Sequence, residues 1–173
     1  MVDWNAFQEE VGEWSYDRFG DQPATNPFLG TAEEMAELTE EILTGNPDNE
    51  EVMDAIGDIL VFFADYCNRA GVSYEEAAES RLSAELYTEC ETIQDLCVEI
   101  TISRGNQAYS FLKQDQGIRS ELEGVGEQAD VRTLSHTLLA LETFSDVQGF
   151  TLDEAIEEAW GEVKERDWNS SYN

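Results

Sequence analysis

Apolar residues recur every three or four positions along most of this chain, the spacing of helices that each bury one face. Trp4, Phe7, Val11, Trp14 and Phe19 predict a first helix over residues 2–20. Gly20-Asp21-Gln22-Pro23-Ala24-Thr25-Asn26-Pro27 reads as a turn-rich connection. Thr31 is placed to cap the next helix, and Glu34, three residues on, completes a capping box. That helix carries Met35, Leu38, Ile42 and Leu43 on its apolar side and stops at Gly45-Asn46-Pro47-Asp48. A third helix runs from about 49 to 70 on Val52, Ile56, Ile59, Leu60, Phe63 and Cys67, with Gly71 ending it. Beyond it the pattern predicts a helix over 74–86 capped by Ser73, a long one over 88–103 leading to Gly105, and a segment over 107–113. A loop around Gly117, Gly124 and Gly126 precedes helices over 130–147 and 151–168. The expected fold class is all-α, a single helical bundle spanning residues 1–173.

The pattern repeats weakly. Gly71-Val72-Ser73-Tyr74-Glu75-Glu76-Ala77-Ala78 matches Gly149-Phe150-Thr151-Leu152-Asp153-Glu154-Ala155-Ile156 in residue type, at an offset of 78 from Gly71 to Gly149. This suggests two pseudo-repeats, about 1–86 and 87–173, related by an internal pseudo-twofold. At the same offset Asp54 and Asp58 fall on Arg132 and His136, so the second copy lacks the acids of the first.

Those acids are the main chemical signal. Glu34 and Glu37 share one helix face, as do Asp54 and Asp58, with Glu51 a turn earlier. Two such helices side by side collect four or five carboxylates, and like charges so close repel unless a cation neutralises them. An all-oxygen set suits a hard ion, Mg²⁺ or Mn²⁺, and with it phosphate chemistry. Asp58 lies between Ile56-Gly57 and Ile59-Leu60-Val61-Phe62-Phe63, a stretch expected inside, where an acid needs a partner or a metal. The competing reading of E-x-x-E spacing is a solvated acidic surface.

Composition makes that competition real. The chain has 173 residues, 39 acidic against 9 basic, and a net charge of −30. Such a surface repels nucleic acid and anionic membranes. Hydrophobic residues at 41% and aromatics at 10% argue for a packed core rather than an acidic tail. Acid spread along the whole chain, with Lys113 and Lys164 its only lysines, favours salt adaptation, because molar salt shortens repulsion to about 3 Å. The alternative is mimicry of DNA phosphates by a non-catalytic binding protein. The N-terminus has no secretory pattern, no apolar run is long enough for a membrane span, and Cys67, Cys90 and Cys97 form no C-x-x-C pair. The expectation is a cytoplasmic protein with reduced thiols.

Glu33-Glu34-x-x-Glu37 followed by Asp54 and Asp58 resembles the E-E-x-x-E and E-x-x-D signature of the MazG-like all-α nucleoside triphosphate pyrophosphohydrolases. The second half departs from that signature: Ala55 stands three residues before Asp58, with Asp54 beside it. Phe111-Leu112-Lys113-Gln114-Asp115-Gln116-Gly117-Ile118-Arg119 is similar to an L-K-x-x-Q-G-I-R segment of such proteins, though it sits here in the second half. Trp160-Gly161-Glu162-Val163-Lys164-Glu165-Arg166-Asp167-Trp168 resembles their W-x-x-V-x-x-R-D-W ending. The resemblance implies Mg²⁺-dependent (or Mn²⁺-dependent) cleavage of a nucleoside triphosphate between its α and β phosphates, a nucleotide-pool housekeeping reaction giving monophosphate and pyrophosphate. It makes Glu34, Glu37, Asp54 and Asp58 the metal ligands, with Glu51 a substitute for Asp54, and gives Glu33 or Glu34 the attacking water. Lys113 and Arg119 would bind substrate phosphate at a cavity shared with the acids. Such enzymes assemble facing helices, which leaves a homo-oligomer open. The bland readings are a salt bridge for Lys113 or Arg119, and packing for His136 and Trp168.

Overall fold

The densest apolar stretch, Asn49–Ala70, becomes the central helix of the molecule, with Ile56, Ile59, Leu60, Phe63, Ala64 and Cys67 wholly enclosed. The computed structural model describes residues 2–44, 49–86, 89–116 and 125–166. Among these residues there are seven α-helices and no strand: α1 (Trp4–Phe19), α2 (Thr25–Thr44), α3 (Asn49–Ala70), α4 (Tyr74–Ser80), α5 (Ile93–Asp115), α6 (Val125–Gln148) and α7 (Leu152–Glu165). A 3-10 turn, Arg81–Ser83, follows α4. The all-α bundle is the fold. No helix among the described residues is long and apolar enough to cross a membrane.

Burial explains the packing. α3 presents apolar residues around most of its circumference, and α1, α2, α4, α6 and α7 all lie against it. Leu134, Leu138, Leu141 and Phe144 of α6 and Leu96 and Ile100 of α5 extend the core into the second half. Gly57 sets the closest approach: a Cβ there would overlap the Ala155 carbonyl and lie 2.6 Å from the Ala159 Cβ, so α7 sits directly on α3. Trp4 packs over Tyr74, centroids 4.9 Å apart, and ties α1 to the start of α4.

Several boundaries differ from the sequence expectation. Residues 25–30 are not loop: α2 begins at Thr25, with Pro27 in the first turn, where a missing N–H costs nothing. Thr31 is therefore no cap. It is buried within the helix, and its Oγ1 donates to the Pro27 carbonyl at 3.0 Å. Likewise α5 passes unbroken through Gly105, since an interior glycine costs only about 1 kcal/mol and the packing of α5 on α6 and α2 holds the helix together. Its start is fixed by a reciprocal cap, Asp95 N–H to Thr92 Oγ1 at 3.2 Å and Thr92 N–H to Asp95 Oδ2 at 3.1 Å. The helix expected over 74–86 is shorter, α4 plus its 3-10 turn.

The offset of 78 is matched in hydrogen bonds. Gly71 and Gly149 both take positive φ, 70° and 89°. The Val72 N–H reaches the Cys67 carbonyl at 2.9 Å, as the Phe150 N–H reaches that of Ser145 at 3.1 Å. The Ser73 Oγ accepts from Glu76 N–H at 3.1 Å, and the Thr151 Oγ1 from Glu154 N–H at 3.2 Å. Helix partners correspond too: α2 packs on α3 and α5 on α6, while α7 packs on α3 and α4 on α6. α1, lying on α3 and α4, has no counterpart against α6 and α7 among the described residues.

Candidate functional site

The packing of α2 along α3 turns two acidic sequence motifs into one cluster. Glu33, Glu34 and Glu37 from α2 and Asp54 and Asp58 from α3 all line a cavity of about 380 Å³. Val11, Trp14, Ser15 and Phe19 of α1 form one wall, with Val61, Phe62 and Asp65 of α3 below and Val163 and Arg166 at the end of α7 opposite. Spacing alone explains the local convergence, since residues three or four apart on a helix share a face. The helices hold the rest.

The acids differ sharply in environment. Glu34 is buried, and desolvation together with the charges of Asp58, Glu37, Glu33 and Asp54 pushes its carboxyl up to about 8. Asp58 is half-buried, and burial followed by the charge of Asp54 raises it to about 7, with Arg166 pulling the other way. Asp54 is raised too, by burial and then by Glu162, again opposed by Arg166. Glu33 and Glu37 are exposed at the rim. Asp65, although on the wall, is matched by Arg69 at 2.8 Å. Glu51 is exposed and does not line the cavity, so Asp54 is the acid beside Asp58 at this site.

The fit of this donor set to a hard cation divides in two. In chemistry it matches: every donor is a carboxylate oxygen, and mutual repulsion destabilises the ionised cluster. In geometry the side chains are splayed, and among the described residues no three acids, histidines or cysteines converge closely enough to grip an ion. The helices place the donors around one cavity, and side-chain rotation would have to close them.

Of the two bases expected to complete the site, only Lys113 falls among the described residues. Lys113 does not line this cavity; its Nζ donates to Gln116 Oε1 at 3.2 Å and lies 5.3 Å from the Tyr109 ring centroid. Arg119 lies outside the described residues, as does Trp168. Arg166 is the cation that faces Asp54 and Asp58. It stands within the W-x-x-V-x-x-R-D-W segment, the one sequence signal that points to it as a site residue. Trp14, Phe19 and Phe62 were missed as lining residues, because an aromatic at helical spacing looks like core.

A larger cavity, about 840 Å³, lies in the second half. Its walls come from α4 and the turn after it, α5 and α6, and include Arg132 and His136. His136 Nε2 is 3.0 Å from Glu99 Oε2 but not aligned for a hydrogen bond, so their attraction is that of an ion pair when the ring is protonated. Cys67 and Cys90 are buried free thiols, pushed up by burial, and Cys97 is half-buried. Comparison of the chain with protein-family models, with curated proteins and with solved structures gave no match.

Proposed function

We propose that the protein is a Mg²⁺- or Mn²⁺-dependent nucleoside triphosphate pyrophosphohydrolase of MazG-like type, cleaving between the α and β phosphates to leave monophosphate and pyrophosphate. One observation carries the reading: five carboxylates from two helices surround one cavity, and two are pushed up to about 7 and 8 by burial and mutual repulsion. Perturbed acids gathered in a cleft mark chemistry more often than solvated surface. This clustering also favours the enzyme over the acidic DNA mimic, whose charge would be laid out evenly. The cavity falls within the size of ligand sites, about 300–1,000 Å³.

Glu34, Glu37, Asp54 and Asp58 would hold the divalent cation, which supplies charge neutralisation and Lewis acidity at the triphosphate. Glu33, exposed at the rim, is the base that takes the proton of the attacking water. Arg166 binds phosphate oxygens with its planar fork, and Trp14, Phe19 and Phe62 exclude water around the organic part. Lys113 and Arg119 remain substrate-binding proposals of the L-K-x-x-Q-G-I-R segment. The matched turns, caps and helix pairs support an internal duplication with a pseudo-twofold, of which only the first half keeps the acids.

Pyrophosphate release, screened over ribo- and deoxynucleoside triphosphates in high salt with Mg²⁺, Mn²⁺ or chelator, tests the reading. Turnover with metal, lost in chelator and in Glu37→Gln and Asp58→Asn, is expected. Release of single phosphates would refute the cleavage position, and no turnover with any nucleotide would refute the enzyme.

A homo-oligomer is supported by the open face of α5. Val98, Ile102, Tyr109 and Leu112 are exposed there, and the only acid between 98 and 113, Glu99, is buried. Gly105 lies midway along this stripe, and a Cβ on it would meet no atom of the described residues within 4 Å. Apolar residues arranged about a central glycine suit a second copy packed across a twofold, where the acids elsewhere would repel.

A further inference from the structure

We propose that the 840 Å³ cavity bounded by α4, α5 and α6 is a second binding site, which takes a phosphate monoester of the nucleoside monophosphate class without a metal. Three observations carry this. First, the cavity repeats the walls of the acidic one: α5, α6 and α4 stand where α2, α3 and α7 stand around the carboxylates, and Arg132 and His136 lie 78 residues after Asp54 and Asp58. Among the described residues no helix stands here in the place of α1, which walls the first cavity.

Second, the exchange of residues reverses the chemistry. Where the first cavity has aspartates suited to a cation, this one has a guanidinium and an imidazole. Glu99, buried 3.0 Å from His136, does not line the cavity, and the two acids that do, Glu76 and Glu85, are exposed. Third, Arg132 is the one basic residue among those described for which the fold supplies no partner. Arg69, Arg81 and Lys164 have acids, Arg18, Arg104 and Lys113 lie over aromatic rings, and Arg166 faces Asp54 and Asp58. In a chain with 39 acids, an arginine left without one beside an open cavity is available to an anion.

The lining specifies the rest of the ligand. Arg132 and the Asn106 amide offer donors for phosphate oxygens. Ala84, Leu86 and Val131 offer an apolar surface for an organic body, and Glu76 and Glu85 at the rim are acceptors for sugar hydroxyls or base amino groups. An inorganic anion would use only the first group, so an ester is favoured. The nucleoside class rests on the pyrophosphohydrolase reading, under which this ligand is the product of the other cavity.

The test is equilibrium dialysis of AMP, GMP, CMP, UMP and dTMP, with inorganic phosphate alongside, against the full chain in chelator. At least one monophosphate should bind, more tightly than phosphate. Arg132→Ala should weaken that binding at least tenfold, while Glu37→Gln leaves it unchanged. Asn106→Leu, which keeps the side chain's shape and removes its amide donor, should also reduce it, and circular dichroism establishes that both variants remain helical. Binding that survives Arg132→Ala, or no monophosphate bound without metal, overturns the proposal. Triphosphate turnover is measured separately with Mg²⁺, where Arg132→Ala should match wild type. Metal-free binding without turnover would sink the enzyme reading and leave this site standing, and turnover without metal-free binding would do the reverse.

Discussion

Replacing Glu34 by glutamine keeps the shape of the side chain and removes one charge from the most crowded point of the acidic cavity. In the folded protein burial and four neighbouring acids raise this carboxyl from 4.5 to about 8. At about 1.4 kcal/mol per unit, the charged form would carry roughly 5 kcal/mol of penalty. The cavity admits water and its rim acids are exposed, so screening reduces this, and we expect about 1–2 kcal/mol. The folded carboxyl holds its proton to higher pH than the unfolded one. Its contribution to stability is therefore complete below about pH 4, declines as pH rises, and is lost above about pH 8. Asp58, raised to about 7, tilts the same window in the same direction. Thermal unfolding of wild type and Glu34→Gln between pH 5 and 8, in about 1 M KCl to screen the outer surface, measures the effect. The variant should unfold about 2–8 °C higher at pH 8 and show a flatter pH slope. Mg²⁺ should raise wild type at pH 8 more than the variant. A Glu34→Gln melting temperature at or below wild type at pH 8, with an unchanged slope, would refute the reasoning.

Three further outcomes are expected. Stability should rise steeply from dilute buffer to molar KCl as the self-repulsion of a −30 chain is screened; a melting temperature independent of salt would contradict salt adaptation and revive the mimic. Arg166→Ala should lower substrate affinity or turnover at least tenfold, because it removes the guanidinium that faces Asp54 and Asp58, whereas Lys113→Ala should leave Mg²⁺ affinity unchanged; wild-type kinetics in Arg166→Ala would refute its role, and loss of Mg²⁺ affinity in Lys113→Ala would mean that Lys113 reaches the acids. Gly105→Cys should form an intermolecular disulfide under mild oxidation if α5 pairs with its copy across a twofold, and a light-scattering mass of one chain would exclude that pairing.

Local periodicity determined much of this protein. The apolar spacing identified most of the helices, and the glycine turns at Gly71 and Gly149, with the cap at Ser73, were legible because each needs only a few neighbouring residues. The same held for the acids, since Glu34 with Glu37 and Asp54 with Asp58 share faces through helix geometry alone. Tertiary packing decided the rest. Thr31 has every local mark of a cap, yet Phe28 and Gly30 pack inward, Gly30 against the Phe62 ring, and carry α2 back to Thr25. Gly105 looks like a helix end, and the burial of Ile100, Ser103 and Arg104 before it and of Gln107 after it keeps the helix whole. Arg166 lies more than a hundred residues from Asp58, and only the seat of α7 on Gly57 brings it to the acids. Spacing along one helix is a local property of the chain; which helix lies beside which is set by how the whole core closes, and no single segment records it.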